Sequence, residues 1–315
     1  MPAWILHVAR RVLTAATLLL AVGTIVFFLE QAVPGDPAVA ILGGTAAHPT
    51  KEAVEAVTQA YGFDQPVLVQ YLHFLSGLLR LDFGDSYTLK QPVTEVIGTQ
   101  LGPTLLLTVT ALGLAWVLSV TSVLLTAGRR GVWGRIGSAV ETIAAGLPQF
   151  WLGLVLLLVF AVRLQLFPVL GTGVAGLVLP ALTLAIPLAG FLGQVTRDEF
   201  EDKLRQPFVL SGRSRGVSEA RLRAASVLRH AALPGITLSG WGLGSLISGA
   251  VIVEIIFARQ GLGQVLVTAV NAQDLPLVIG ITFVVALSYV VANLLTDLAY
   301  VAVDPRLRTT VRRTA

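Results

Sequence analysis

The residues able to support nucleotide or nucleophilic chemistry are few in this sequence, and their spacing matches no catalytic motif. None of the three lysines (Lys51, Lys90 and Lys203) follows Gly or precedes Ser or Thr, so no P-loop is present. The four histidines lie near chain ends or in loops, where none could activate a serine buried in an apolar run. No His, Asp and Glu residues have metal-ligand spacing, and there is no cysteine. The sequence therefore predicts no catalytic, cofactor-binding or metal site in this chain.

Four acidic residues lie within or at the ends of apolar runs: Glu30, Glu141, Glu254 and Asp297. Ionisable groups inside a membrane cost about 2.5–3.5 kcal/mol on insertion scales and usually face the bundle interior or water. None of the four lies clearly at mid-bilayer. We therefore expect structural or gate roles for them, rather than a proton or sodium relay.

The longest run of mixed charge extends from Arg197 to Pro234 and lies between two apolar runs. It carries eight of the chain's 22 lysines and arginines. Its centre, residues 211–216, reads Ser-Gly-Arg-Ser-Arg-Gly, and helical patterns flank it. We interpret this loop as a docking surface for a partner, held at a membrane face by the rest of the chain.

The composition is that of an integral membrane protein. The chain is 55% hydrophobic and only 13% charged, with a mean hydropathy of +0.79, whereas soluble domains carry about 25% charged residues. Six apolar runs could cross a bilayer, and without alternation they must be helices. They cover residues 12–29, 103–127, 136–161, 174–195, 235–257 and 277–303. The many small residues of the fifth span predict close helix packing.

Basic residues fix the predicted orientation. Seventeen of the 22 lie in the N-terminus, the 128–135 turn, the 196–234 loop and the tail, all on one side of a six-span chain. The other side holds five. By the positive-inside rule, both termini are cytoplasmic.

The outside segment between the first two spans is too long for a simple connector. Thr50 is a predicted N-cap, and Gly62 is the predicted end of the helix that follows. A second helix, about Pro66–Leu79, carries an apolar stripe too short to span a bilayer, so we expect it in the interface or packed on the span tops. The segment is acidic, which fits either docking of a soluble partner or simple solvation.

An ordered series of motifs resembles, end to end, the B-type (DppB/OppB-like) permease subunit of dipeptide, oligopeptide and nickel ABC importers. In chain order the matching residues are Val33-Pro34-Gly35-Asp36-Pro37, Tyr61-Gly62-Phe63-Asp64-Gln65-Pro66, Gln70-Tyr71, Leu81-Asp82-Phe83-Gly84-Asp85-Ser86-Tyr87, Pro92-Val93, Thr104-Leu105, Pro148-Gln149-Phe150-Trp151-Leu152-Gly153, Glu254-x-x-Phe257, Gly261-Leu262-Gly263, Ala269, Asp274-x-Pro276 and Asp297-x-x-Tyr300-x-x-x-Asp304-Pro305-Arg306-x-Arg308.

The resemblance implies an all-α, six-span type I importer permease in the bacterial plasma membrane, with a large extracytoplasmic segment. Its parts would be an N-terminus with the first span (1–30), that segment (31–100), a core (101–303) containing the coupling loop 196–234, and a tail (304–315). A second, C-type permease, one or two cytoplasmic ABC ATPases carrying ATP and magnesium, and an extracytoplasmic peptide-binding protein would be its partners.

The resemblance also implies that a short coupling helix, about Pro207–Ser218, inserts into a groove on the ATPase. The expected docking residues are Pro207, Phe208, Val209, Leu210, Ser211, Gly212, Arg213, Ser214, Arg215 and Gly216, and the expected gate or partner contacts are Glu254, Phe257 and Asp297. Gly216 and Pro234 fit the anchors of the family's Glu-Ala-Ala-x-x-x-Gly loop motif. The Glu-Ala-Ala positions instead read Leu210-Ser211-Gly212, and a glycine there weakens a helix by up to ~1 kcal/mol.

Two other classes of function stay open at this level. A self-sufficient secondary transporter would show inverted repeats and coupling groups at mid-membrane, and the sequence shows neither clearly. A membrane scaffold or receptor would lack neighbouring genes for a binding protein and ATPases. Within the importer class, the substrate could be dipeptides, longer peptides, glutathione-like molecules or nickel chelates.

Overall fold

The computed structural model describes residues 3–32, 35–44, 47–129, 131–170 and 173–303, of which residues 3–12, 30 and 297–303 are described by their backbone alone. Over these residues the chain is helical, with one isolated β-bridge between Asp85 and Pro92. The helices are α1 (Ala3–Gln31), α2 (Pro37–Ile41), α3 (Lys51–Tyr61), α4 (Val67–Leu79), α5 (Val93–Thr126), α6 (Val132–Gly146), α7 (Gln149–Leu156, continued by π-helical Leu157–Arg163), α8 (Ala175–Leu204), α9 (Pro207–Ser214), α10 (Glu219–Arg221, continued by π-helical Leu222–Val227), α11 (Leu228–Ala231), α12 (Leu233–Ile256), α13 (Leu262–Asn271) and α14 (Leu275–Val303).

Four of the described helices are long and apolar enough to cross a membrane: α5, α8, α12 and residues Leu275–Thr296 of α14. They correspond to the predicted second, fourth, fifth and sixth spans. Helix α5 begins ten residues before the predicted start at 103, and α8 continues nine residues beyond the predicted end at 195. The apolar part of α1 with described side chains, Leu13–Leu29, is shorter than the other four.

The third predicted span, 136–161, is not one continuous helix. Helices α6 and α7 meet at an angle of 102°. Leu147 adopts an extended conformation (φ −71°, ψ 126°) because the ring of Pro148 disfavours helical geometry at the preceding residue. A hydropathy window detects only that this stretch is apolar, so it could not predict the bend.

The first of two compact units comprises Ile5–Gly102 and Gly261–Leu287. Its buried core joins the beginnings of α5 and α14 with α13, through residues such as Val93, Ile97 and Ile281. Helix α3 has the predicted ends, since Thr50 Oγ1 accepts a hydrogen bond from Ala53 N at 3.3 Å and Gly62 has a left-handed φ of 69°.

Helix α4 packs against α1, also within the first unit. The rings of Phe27 and Phe74 stack at 5.4 Å, and the hydroxyls of Thr24 and Tyr71 are 2.9 Å apart. Pro66 stands just before α4 rather than at its first position.

The second unit comprises Pro103–Gln260 and the part of α14 from Ser288 onward. Helix α8 provides most of its core, together with buried residues of α5, α7 and α12. The small residues of α12 allow close packing, as predicted. A Cβ at Gly240 would meet Thr296, and one at Gly244 would overlap the ring of Tyr289.

Candidate partner-docking site

The loop between α8 and α12 contains a short, well-defined helix, α9. Pro207 stands at its first position, where its missing N–H costs nothing. After Ser214 the chain turns through Gly216, whose φ is +75°. Val217 N donates to Gly212 O at 3.1 Å and Gly216 N to Arg213 O at 3.0 Å, which is the Schellman pattern of a helix end. The helix was predicted to reach Ser218; it ends at Ser214 because this left-handed turn stops it.

One face of α9 is packed into the second unit. Val209 is fully buried in a cluster with Phe200 of α8, Val123 of α5 and residues of α10 and α11. Gly212 is also buried, and a Cβ there would overlap the side chain of Leu222. An alanine at 212 would therefore require the end of the Leu222 side chain to shift.

The opposite face of α9 is open. Leu210 is 69% exposed and Phe208 37% exposed, and Ser211 and Arg215 are exposed beside them. The ring of Phe208 lies 5.5 Å from that of His230. Arg215 donates from Nε to Ser211 O at 3.2 Å, within its own helix. The exposed face of α9 is thus a small apolar surface with a flanking cation, and its docking role stays a prediction.

The arginines at 213 and 215 differ in their surroundings. Arg213 forms a two-pronged ion pair with Glu219, with Nη2–Oε1 at 2.8 Å and Nε–Oε2 at 3.1 Å. The hydrogen bond from Arg213 lowers the pKa of Glu219, and the pKa of Arg213 is raised in return. Because both side chains are about half exposed, the pair contributes little to global stability. It closes the turn between α9 and α10.

Arg223 connects the loop to the end of α5, a role that the sequence did not indicate. Its Nη2 donates to Leu124 O at 3.0 Å, in the last turn of α5, and to Ala127 O at 2.6 Å, just beyond the end of that helix. Its guanidinium also lies over the ring of Phe200, 5.0 Å from the centroid. A cation at a helix C-terminus is stabilised both by the free carbonyls and by the helix dipole.

A buried ion pair between Glu141 of α6 and Arg197 of α8 lies close to this loop in the chain. Arg197 Nε is 2.6 Å from Glu141 Oε2, and the two side chains are only 7% and 3% exposed. Sequence reasoning gave Glu141 a structural or gate role and counted Arg197 as one of the loop's basic residues. It did not pair them. The signal that could have found the pair is an acid in an apolar run, which calls for a partner of opposite charge.

Two of the three other predicted contact residues, Glu254 and Phe257, are buried within the second unit. Glu254, near the end of α12, is fully buried and accepts a hydrogen bond from Thr104 Oγ1 at 2.6 Å. Phe257 is packed in the core of the same unit. The side chain of Asp297 lies outside the described residues. A gate or partner role for these three residues stays a prediction.

Asp274, from the Asp-x-Pro motif, fastens the outer segment to the start of α14 within the first unit. Its buried Oδ2 accepts from Ser86 Oγ at 2.6 Å, Thr88 Oγ1 at 2.7 Å and Thr88 N at 3.0 Å. Its Oδ1 lies 3.4 Å from Leu277 N, in the first turn of α14. The motif thus has a structural role here. Among the described residues, no group of three His, Asp or Glu side chains could hold a metal ion.

Comparison with known proteins gives the family. Residues 119–309 match the model of the binding-protein-dependent transport system inner membrane component, and residues 5–108 match the N-terminal model of such membrane components. The chain belongs to this family. It is the permease subunit of an ABC importer, as the resemblance predicted.

Individual relatives match this permease over nearly its whole length. A Brucella abortus protein that carries the provisional name peptide transport system permease is 33% identical, over 96% of this chain and 98% of its own. The glutathione transport system permease proteins of Salmonella choleraesuis and Salmonella typhi are also 33% identical, with the same shares covered. The matches do not favour a self-sufficient secondary transporter.

Proposed function

We propose that this permease forms half of the translocation pathway for short peptides, driven by separate ATPase subunits that dock on α9. The observation that carries the proposal is the two-sided α9, which buries Val209 in the ends of the helices behind it and leaves Leu210 exposed. A helix anchored in this way acts as a rigid lever, which can pass movement of a bound partner to the spans.

The proposed topology has six spans with both termini in the cytoplasm. The four membrane-length helices support it, and α1 and the bent α6–α7 pair supply the remaining two spans. The basic residues concentrated on one side give the orientation. In this arrangement α9 faces the cytoplasm, where ATP is available, and the acidic segment 31–100 faces the binding protein.

The proposed substrates follow from the relatives. One is named for peptide transport and others for glutathione transport, and glutathione is itself a small peptide. We propose di- or oligopeptides, delivered by an extracytoplasmic binding protein to the pathway between this subunit and a homologous C-type permease. One or two ABC ATPases supply ATP and magnesium.

Site-directed crosslinking tests the docking assignment, and the absence of native cysteine makes single-cysteine variants simple to build. Leu210→Cys, labelled with a benzophenone maleimide in the assembled complex, should crosslink to an ATPase subunit on illumination. Leu166→Cys is the matched control, because Leu166 is similarly exposed (65%) but lies on the proposed outer side. Crosslinking of both variants, or of neither, to the ATPase would contradict the proposal.

Charge reversal separates docking from folding of the loop. Because Arg213 is tied to Glu219, Arg213→Glu disturbs the turn as well as the surface. Arg215→Glu changes the exposed face and removes only a hydrogen bond to Ser211 O within α9, so it should reduce ATP-driven uptake while leaving membrane insertion intact. Gly216→Pro should uncouple transport too, since proline cannot adopt the φ of +75° that ends α9.

A further inference from the structure

The Glu141–Arg197 pair has a geometry that an ordinary ion pair at a helix surface lacks. Arg197 donates through two nitrogens, with Nε–Oε2 at 2.6 Å and Nη2–Oε1 at 2.8 Å. Both side chains are almost fully buried. Two parallel hydrogen bonds between planar groups fix the angle and register of the helices that carry them, here α6 and α8.

Helix α5 completes the site. Ser122 Oγ donates to Glu141 Oε1 at 2.7 Å, and Arg197 Nη2 donates to Thr126 Oγ1 at 2.5 Å. Three helices therefore meet at one charged centre, where every side-chain nitrogen and oxygen of the pair except Arg197 Nη1 has a hydrogen-bond partner. This is the condition under which a buried pair is tolerated.

Two glycines make room for the pair. A Cβ at Gly137 of α6 would overlap Thr126 and the Arg197 guanidinium, and a Cβ at Gly193 of α8 would come within 2.9 Å of Glu141 Cγ. The backbones of α6 and α8 approach each other one turn before Gly193, where a Cβ at Gly190 would collide with Glu141 O and Ala145 N. The site is shaped around these two side chains.

The same turn of α8 leads directly to the docking loop. One turn after Arg197, Glu201 accepts a hydrogen bond from Gly128 N, just beyond the end of α5, at 3.1 Å. Phe200, in the same turn, packs in the cluster that holds Val209 of α9. Helix α9 therefore rests on the α5 and α8 ends that the ion pair joins.

Stability alone does not explain a buried pair, because well-packed apolar residues in its place are often as stable or more stable. We propose that Glu141 and Arg197 are positioning residues for coupling: they hold the ends of α5, α6 and α8 together as one rigid body, so that displacement of α9 moves all three helices. This inference rests on the proposed docking of an ATPase at α9.

The test compares ATP hydrolysed per peptide imported in the reconstituted complex. The double variant Glu141→Leu/Arg197→Met removes both charges and keeps apolar volume, so it should assemble with a thermal stability close to that of the wild type. We expect it to consume about tenfold more ATP per peptide, within the range of typical coupling between sites. A double variant with wild-type stoichiometry would show that the pair only supports the fold, and would overturn the proposal.

A conservative variant covers the case in which the double variant does not assemble. Arg197→Lys keeps the charge but loses the two-pronged geometry, so it should fold and also waste ATP. Wild-type coupling in Arg197→Lys would overturn the proposal as well.

The control is the exposed pair Lys203–Glu199 on the same helix, at 3.0 Å. It joins no second helix, so Lys203→Met/Glu199→Leu should leave the stoichiometry unchanged. Loss of coupling in this control as well would mean that any change of charge on α8 has the effect, and would overturn the proposal.

If the wild-type complex itself shows no ATP-dependent uptake, the proposed function fails first. If instead the wild type and the double variant both import peptide with the same ATP stoichiometry, only the coupling role of the ion pair is refuted.

Discussion

Replacement of Leu210 by alanine should weaken ATPase binding without destabilising the permease. Leu210 is 69% exposed in the isolated chain, so its side chain makes few contacts that the fold could lose. Alanine and leucine are both good helix formers, so α9 should persist. Any effect of this change therefore reports on a partner that covers the exposed face.

The expected magnitude follows from the exposed area. Full burial of a leucine side chain stabilises by about 1.5–3 kcal/mol, so burial of the remaining two thirds on docking contributes about 1–2 kcal/mol. Leu210→Ala should then raise the dissociation constant for the ATPase about 5- to 30-fold. Titration of fluorescently labelled ATPase onto permease in nanodiscs measures this directly.

Val209→Ala is the matched comparison, one residue away on the buried face. It removes two methyl groups from a fully buried side chain, and should lower the free energy of unfolding by about 1.6 kcal/mol from burial, at ~0.8 kcal/mol per carbon, plus a cavity term. Val209→Ala should weaken ATPase binding only to the extent that it destabilises the loop. The reasoning is refuted if Leu210→Ala lowers the melting temperature as much as Val209→Ala, or if it leaves ATPase affinity unchanged.

Three further changes test other contacts. The hydrogen bond from Arg213 lowers the pKa of Glu219, so the pair stabilises the loop fully above the ordinary carboxyl pKa. As the pH falls through the lowered pKa, the pair is lost and hydrogen exchange of the loop should become faster. Glu219→Gln should abolish this dependence of hydrogen exchange on pH. Gly190→Ala in α8 should reduce thermal stability despite the better helix propensity of alanine, because its Cβ would collide with backbone atoms of Glu141 and Ala145 in α6; a gain in melting temperature would contradict the packing. Asp274→Ala leaves the buried hydroxyl of Ser86 without its acceptor, so it should destabilise by about 1–3 kcal/mol and speed proteolysis of the outer segment, whereas unchanged resistance would rule out the clamp.

Hydropathy located the long spans well because membrane burial acts on every residue of a spanning helix alike. It failed at Leu147–Pro148, where the run stays apolar but the backbone bends through 102°. The break depends on a steric effect of one proline on its predecessor, which a window average does not contain. The prolines inside α8, Pro180 and Pro187, show why proline alone is a weak signal, since that helix continues through both.

Gly216 and Pro234 allowed the position of the docking helix to be predicted from the sequence. Its end and its packing could not be predicted in this way. The helix was expected to reach Ser218, and the left-handed turn at Gly216 instead ends it four residues earlier, at Ser214. The glycine at 212 looked like a weakness in the helix when only its propensity was considered. In the structure it is buried against Leu222, and no local pattern in the sequence shows which residue a helix face will meet.

The buried pair illustrates a similar limit. Glu141 and Arg197 are separated by 56 residues, and each has an ordinary explanation alone: an acid near a span end and one of eight basic residues in a loop. Only the packing of α6 on α8 shows that they meet. The cost of burying either charge without a partner is what a sequence-level argument could have used.

Uptake into proteoliposomes tests the central claim most directly, namely that this permease imports peptides through ATPases docked on α9. The vesicles would contain the complete complex, with binding protein and a labelled dipeptide outside and ATP inside. We predict uptake that requires hydrolysable ATP, the ATPases and the binding protein, and that falls in the Leu210→Ala variant. Uptake driven by an ion gradient in vesicles that contain this chain alone would contradict the account.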